Sequence, residues 1–351
     1  MSVFFRRRES EMPAMSLEGA LGPNSRLDDA DAFAISKPDA VCVNGDGHLL
    51  VSSGSEVLLM RQWGQAPERW ANFDAPVTAL AVSGSGHVAI GLVGGRLVIR
   101  GPSGEASQGW TPSTHPRAIV DCLFLSDDEV AVVDHGYGPD EPVLSLAPWD
   151  DAARGQVLAI GRGGATRVIA AGLHCPMGIA RRPDGSLVIT ELERARVIDA
   201  SGQALQSGYP AYLSRIRKIG GAYAIACLSR RDPLIEFLKT EREFVARMKA
   251  NIDPRHWISP RANPEFSYEF PIELGATRLF GEIKPWAPSF SYGLVIETDP
   301  DMTPVGSAHS RANGFRHAIS DVTGWNDDVI AVSRASEEIL KFHPTGHADE
   351  R

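Results

Sequence analysis

Residues 39–53, DAVCVNGDGHLLVSS, followed at 56–60 by EVLLM, set out a unit: an apolar-alternating strand, a tight polar turn, and two further apolar strands. The unit recurs as TALAVSGSGHVAIG with RLVIR over 78–100, and as DCLFLSDDEVAVVD from Asp121 with GQVLAI from Gly155. A fourth copy is MGIARRPDGSLVITE with RVID over 177–199. The fifth, SRIRKIGGAYAIACL from Ser214, finds its third strand only at YGLVIETD from Tyr292, and the sixth, SDVTGWNDDVIAVS with EILKF, fills 320–342. Alternation of period two marks strands with one buried face. The turns fall at Asp46-Gly47, Ser85-Gly86, Asp127-Asp128, Asp184-Gly185, Gly220-Gly221 and Asn326-Asp327, residue types that tolerate the positive φ of a hairpin.

Six such units, spaced by roughly 40 residues apart from two insertions, predict an all-β chain folded as a six-bladed β-propeller. A large β-sandwich is the rival architecture, but it does not require the same grammar in every unit. ERWANF and TRVIAA supply candidate outer strands for the first and third units. The last unit has none after Phe342, so residues near Ala32 to Ile35 are expected to close the ring. The resulting organisation is an N-terminal tail over 1–31, one propeller domain over 32–344, and a C-terminal tail over 345–351.

The first insertion, 135–154, contains three Pro and no apolar periodicity, and is expected to be a long loop on one face. The second, 230–291, makes a helical insertion in the fifth blade, with Asp232 as cap and Pro233 in the first turn. Leu234, Phe237, Leu238, Phe244, Val245 and Met248 form an apolar stripe at helical spacing. Its charges are mixed rather than basic, which favours a helix packed across one end of the propeller over a lipid-seeking one. The segment RHWISPRANPEFSYEFP (255–271) is expected to wrap the same end.

A net charge of −9 argues against a nucleic-acid partner, and Arg6-Arg7-Arg8 reads as a solvated tail. No apolar run is long enough to span a membrane, and MSVFFRRRESEMP lacks the apolar core of a secretory signal. Cys42, Cys122, Cys175 and Cys227 show no CxxC spacing and read as small buried hydrophobes in a reducing cytoplasm. A cytoplasmic protein with a small organic substrate is the expectation.

The repeat also supplies a register for the central channel. Taking Val41, Leu80, Leu123, Ile179, Ile216 and Val322 as the first inward apolar residues, the positions two before them are Asp39, Thr78, Asp121, Met177, Ser214 and Ser320. These are the predicted channel-mouth residues, with Arg215 and Asp321 beside them. Carboxylates converging in a low-dielectric space acquire shifted pKa values unless a cation lies between them. A hydrated channel end with solvated charges is the competing reading. His135 opens the first insertion and would serve there as a general base. His309 and His317 flank the start of the last blade.

From Gly155 to Leu238 the pieces GQVLAI, GLHCPMGIARRPDGSLVITE, AYLSRI and AYAIACLSRRDPLIEFL resemble the strictosidine synthase-like proteins. YGLVIETD and the final unit extend the likeness, as does KPDAV more weakly, and SRRDPL leading into a helix is its most specific element. The resemblance implies a six-bladed propeller with a small organic substrate at the channel mouth. It also implies kinship with the paraoxonase/arylesterase and gluconolactonase families, which use a channel Ca²⁺. Asp134-His135 is similar to an Asp-His pair of the arylesterases. The departures are specific. Ser320 stands where plant strictosidine synthases carry a catalytic Glu, and Asp321 would point to the other face of an ideal strand. Met177 and Ser214-Arg215 stand where the metal-using relatives carry Asn and Asp-Asn, while Asp39 keeps an acidic residue. No cofactor is therefore expected, Ca²⁺ being the less favoured alternative, and Arg215 is expected to supply the positive charge. The leading expectation is an ester or lactone hydrolase-like enzyme. Its working groups would be Asp39, Asp121, His135 and Arg215, with Thr78, Met177, Ser214, His317, Ser320 and Asp321 around the substrate. A non-catalytic ligand- or protein-binding propeller and a strictosidine synthase-like amine–aldehyde lyase are the alternatives.

Overall fold

The computed structural model describes residues 16–110, 116–264, 278–279, 282–284 and 290–345. Within them the repeated units pair as six small antiparallel sheets, five of four strands and one, the second, of three. The innermost strands are Val41–Val43, Val77–Val82, Asp121–Ser126, Pro176–Arg181, Ala211–Ile219 and Ile319–Trp325. Each touches the innermost strand of the next, and the last touches the first, so the sheets stand as blades around one axis. This is a six-bladed β-propeller. Apolar residues facing between blades make the core. Leu213, Ile216 and Ile225 of the fifth blade, for example, pack with Val188 and Val197 of the fourth.

The ring closes with both ends of the chain. Asp31–Ala34 forms the outer strand of the sixth blade, pairing antiparallel with Glu338–Phe342 from Asp31 opposite Lys341 to Ala34 opposite Glu338. The N-terminal tail expected over 1–31 is instead packed chain from its described start. Leu27 is fully buried among Ala224, Val295 and Ile319, and the Arg316 guanidinium donates to the carbonyls of Leu27, Asp28 and Ala30. One guanidinium nitrogen shared among three carbonyls within four residues helps hold in place a stretch without strand periodicity. Residues 1–15, with the basic run, and 346–351 lie outside the described residues.

The first insertion departs from a plain loop. It contains a helical turn, Val143–Leu146, followed by a 3₁₀ turn, Ala147–Trp149, whose three residues are all buried. In the second insertion Asp232 accepts from the Leu234 amide at 2.8 Å and caps a helix over Pro233–Thr240. The helix then breaks at Glu241 and a second runs over Arg242–Asn251. The predicted stripe is buried only in part: Met248 is buried, Leu234, Leu238, Phe244 and Val245 are half-buried, and Phe237 is 55% exposed, while Ile235, outside the stripe, is buried. Both helices pack on Trp149 and Trp257, and the Trp149 indole donates to Ile258 O at 2.9 Å, so the insertions cover one end together. Residues 265–271 of the aromatic segment lie outside the described residues.

One detail positions the site. The inner strands carry an extra residue relative to their neighbours at Thr78, at Met177, at Ser214–Arg215 and at Ser320. A bulge leaves its residue out of the ladder and re-aims the backbone. The four cysteines are free and buried.

Close blade contact depends on Gly178. A Cβ there would lie 2.6 Å from the Arg215 Cα and 2.8 Å from the Ile216 amide, backbone that cannot move without spreading blades four and five. Gly178→Ala is expected to cost about 1–3 kcal/mol in chemical denaturation. An unchanged unfolding midpoint would mean the blades do not approach this closely.

Candidate active site at the channel mouth

The axis is filled by an arginine. Arg215, 3% exposed, projects from the fifth blade into a ring of backbone carbonyls contributed by four others. Its Nε donates to Val120 O at 2.8 Å, Nη1 to Asp39 O at 2.5 Å and Ser320 O at 3.1 Å, and Nη2 to Thr78 O at 2.5 Å. Nη1 and Nη2 also reach Asp39 Oδ1, each at 3.4 Å. The bulges at Thr78 and Ser320 free two of these carbonyls, and a buried carbonyl without a donor costs free energy comparable to a lost hydrogen bond. A guanidinium has five N–H donors in a fixed plane, so a single side chain answers all four.

A second layer uses Arg217, two residues along the same strand face. It donates to both Asp121 oxygens at 2.8 and 2.7 Å and to Asp321 Oδ2 at 3.1 Å. Asp121 also accepts from the Ile179 amide at 2.9 Å, and Asp321 from the Val41 amide at 3.1 Å, so each carboxylate ties its blade to the next. Both are fully buried. Burial raises the Asp321 pKa against the pull of Arg217 and Arg215. Asp121, expected as a working group at the mouth, is therefore an interior tie, and Asp321 faces the axis rather than the opposite side. The bulge at Ser320 shifts the alternation by one residue and accounts for the second difference.

Above Arg215 opens a pocket of about 180 Å³ lined by Asp39, Thr78, Met177, His135, Arg117 and Arg334, with Leu92, Val93, Ile119 and Val143 as its apolar wall. Arg334 donates through Nε and Nη2 to Asp39 Oδ1, the first at 2.9 Å. Burial works to raise the Asp39 pKa, but the charges of Arg334 and Arg215 outweigh it and hold the carboxyl below its ordinary range. The Oδ2 oxygen of Asp39 has no hydrogen-bond partner among the described residues.

His135 lines this pocket but differs from the expected base. It is 7% exposed, and its Nδ1 accepts from the Tyr137 amide at 3.1 Å, which places the proton of the neutral ring on Nε2. Burial lowers its pKa to about 4. At neutral pH the ring is therefore a hydrogen-bond donor toward the pocket. Its neighbour Asp134 is spent on the amides of Arg117 and Gly136, both at 2.9 Å.

The other predicted positions are occupied otherwise. Thr78 Oγ1 donates to Ile119 O at 2.5 Å, Ser214 Oγ to Ser320 O at 2.8 Å, and Ser320 Oγ to Asp39 O at 2.7 Å. His317 is buried away from the pocket, with Nδ1 at the Ser291 hydroxyl and Nε2 donating to Arg311 O at 2.8 Å. Sequence reasoning did not single out Arg217, Arg334 or Arg117. Only Arg217 left a signal, as one of two arginines flanking Ile216 within a strand.

The axial oxygens do not fit calcium. A calcium site needs six to eight oxygens with enough carboxylates to offset dehydration. Here four carbonyls and one Asp39 oxygen are engaged by Arg215, and Met177 offers a thioether unsuited to a hard cation. Among the described residues no cluster of three or more His, Cys, Asp or Glu is arranged for a metal.

No family model matches the chain, and no curated protein matches it. Among solved structures it is similar to a gluconolactonase from Xanthomonas campestris, with a TM-score of 0.55 at 13% identity over 95% of either chain. It is also similar to a structural-genomics target named after the gluconolactonases, with a TM-score of 0.52 at 12% identity over 90% of this chain and 92% of that one. At such identity the likeness establishes the shared propeller fold.

Three outcomes follow from this geometry. Arg215→Ala removes the side-chain donor from the Val120 and Thr78 carbonyls, leaves the Asp39 and Ser320 carbonyls only their serine hydroxyls, and weakens the pairing of Asp39, so it is expected to destabilise the protein by about 3–5 kcal/mol. Chelator is expected to leave the melting temperature of the unmodified protein unchanged. A calcium-dependent rise in that protein would overturn the assignment. For His135, the ring protonates near 6.5 when unfolded and about 4 when folded, so the unfolded chain binds the extra proton between those values. Stability therefore grows as pH rises from about 4 to 6.5 and is full above, a span of about 3 kcal/mol. His135→Gln should flatten that slope, and an unaltered slope would show that the ring is not buried neutral.

Proposed function

We propose that the chain is a metal-independent hydrolase of small esters or lactones, working in the mouth pocket. The observation that carries this reading is Asp39. One of its oxygens is pinned by Arg215 and Arg334, the other is without a partner among the described residues, and the side chain lines a pocket otherwise furnished with donors. The gluconolactonase names of the two structural neighbours are consistent with this class.

In this mechanism the ionised Oδ2 accepts a proton from water as the water oxygen adds to the substrate carbonyl carbon. The resulting oxyanion is met by the His135 Nε2–H and by the Arg117 fork. Collapse breaks the bond to the alkoxy oxygen, which takes the proton back from Asp39, and the acid loses its own proton to solvent. The depressed Asp39 pKa makes it a weak base, so modest turnover is expected. The same depression favours pure ligand binding as a second reading. Amine–aldehyde condensation is not proposed, because the Ser320 hydroxyl is committed to Asp39 O and Asp321 is sealed beneath Arg215.

The test is turnover of a panel of lactones and simple esters across pH. Activity is expected to be level from about pH 5 to 8 and to fall only toward pH 4, where His135 becomes charged. Asp39→Asn should lose at least about 100-fold. An inflection near pH 6.5 that vanishes in His135→Gln would transfer the base to the histidine. No turnover on any substrate, with ligands still binding, would leave the second reading in its place.

A further inference from the structure

Charge at the mouth is not balanced by the protein itself. Arg334 is spent on Asp39, Arg215 on its carbonyls, and Glu141 lies 3.7 Å from Arg154, which also holds Asp150 at 2.8 Å. Arg117 lines the same pocket, is exposed, and makes no ion pair or side-chain hydrogen bond among the described residues. The second unspent donor is His135 Nε2–H, on a side chain more than nine-tenths buried, which likewise has no partner among the described residues. A free guanidinium fork and a buried neutral N–H form a donor set for a planar anion, and Arg suits carboxylate above other anion binders because its two N–H groups match two oxygens.

The remaining wall is apolar, formed by Leu92, Val93, Ile119 and Val143, so the anionic group must carry a carbon body. At about 180 Å³ the space is smaller than the usual drug-sized site. Asp39 Oδ2 would accept from a hydroxyl on the ligand but repel a second negative charge. We infer that the preferred ligand of the mouth pocket is a small organic monocarboxylate, the acid rather than its neutral ester or lactone, held by Arg117 and His135. This rests on the mouth pocket being the site, as proposed above, and not on turnover. In a hydrolytic cycle it makes the acid product the tighter-bound species.

Calorimetric titration of benzoate and gluconate against benzamide and gluconamide tests the inference, since each pair differs chiefly in charge. Each carboxylate is expected to bind at least tenfold more tightly than its amide. Arg117→Gln should remove that preference while leaving the melting temperature unchanged, because the side chain supports nothing else in the described structure. His135→Ala should weaken both carboxylates by a similar factor. Amides binding as well as acids, or carboxylate affinity surviving Arg117→Gln, would overturn it. Lactone turnover without preference for the acid would sink this inference and leave the hydrolase reading standing. Acid binding without turnover would do the reverse.

Discussion

Six strands that converge on one axis bring their first carbonyls together where neither the ladder nor solvent can satisfy them, and Arg215 resolves that problem. Its guanidinium, carried by the fifth blade, bonds carbonyls of the first, second, third and sixth. Arg217 below it holds Asp121, whose second role is to accept the Ile179 amide of the fourth blade. Every blade is thereby joined at the axis through two side chains on one strand. The carboxylates Asp39, Asp121 and Asp321 are drawn in to match the two buried cations. A buried charge is tolerated only when paired and hydrogen-bonded, and the pairing here serves the ring before it serves any ligand.

That priority decides which groups remain for chemistry. Asp121 and Asp321 have no oxygen to spare, since amides and Arg217 take them up. Thr78, Ser214 and Ser320 give their hydroxyl protons to carbonyls. What faces the mouth is the outer edge of the network: one oxygen of Asp39, the Nε2–H of His135, and the arginines that ring the opening. The insertions matter for the same reason. His135 belongs to the first, and the Tyr137 amide that fixes its tautomer lies two residues further along.

Much of the fold was legible because blades are local objects. Period-two strands with Gly or Asn at positive φ in the turn, as at Gly47, Gly86, Gly185, Gly220 and Asn326, encode a hairpin without help from distant chain. The missing outer strand after Phe342 pointed to the Asp31–Ala34 closure on the same arithmetic. The site was legible only in part. Counting back two residues located Asp39, Thr78 and Met177 at the pocket, but it could not foresee the bulge at Ser320, so Asp321 was placed by ideal alternation, and in the third blade it took Asp121 for the axial position that Val120 holds. Arg334 leaves the second strand of the last blade and meets Asp39 of the first, a contact that exists only once the ring is closed. The His135 proton was out of reach of sequence altogether, because its position depends on a backbone amide rather than on a residue type.

A guanidinium at the axis has a chemical consequence beyond stability. A metal ion at an axis can hold the surrounding oxygens and still keep an open position that polarises a substrate carbonyl. Arg215 cannot do both, because its N–H groups are directed into the carbonyl ring and Asp39 and its side chain is almost wholly buried. In the proposed reaction polarisation then falls to groups one layer out, His135, Arg117 and Arg334, which are neutral, exposed or shared. Such donors act more weakly than a divalent ion but discriminate by geometry, since a fork and a single N–H recognise a planar group from its edge. The arrangement that secures the propeller therefore leaves the donors available to a ligand at the rim rather than on the axis.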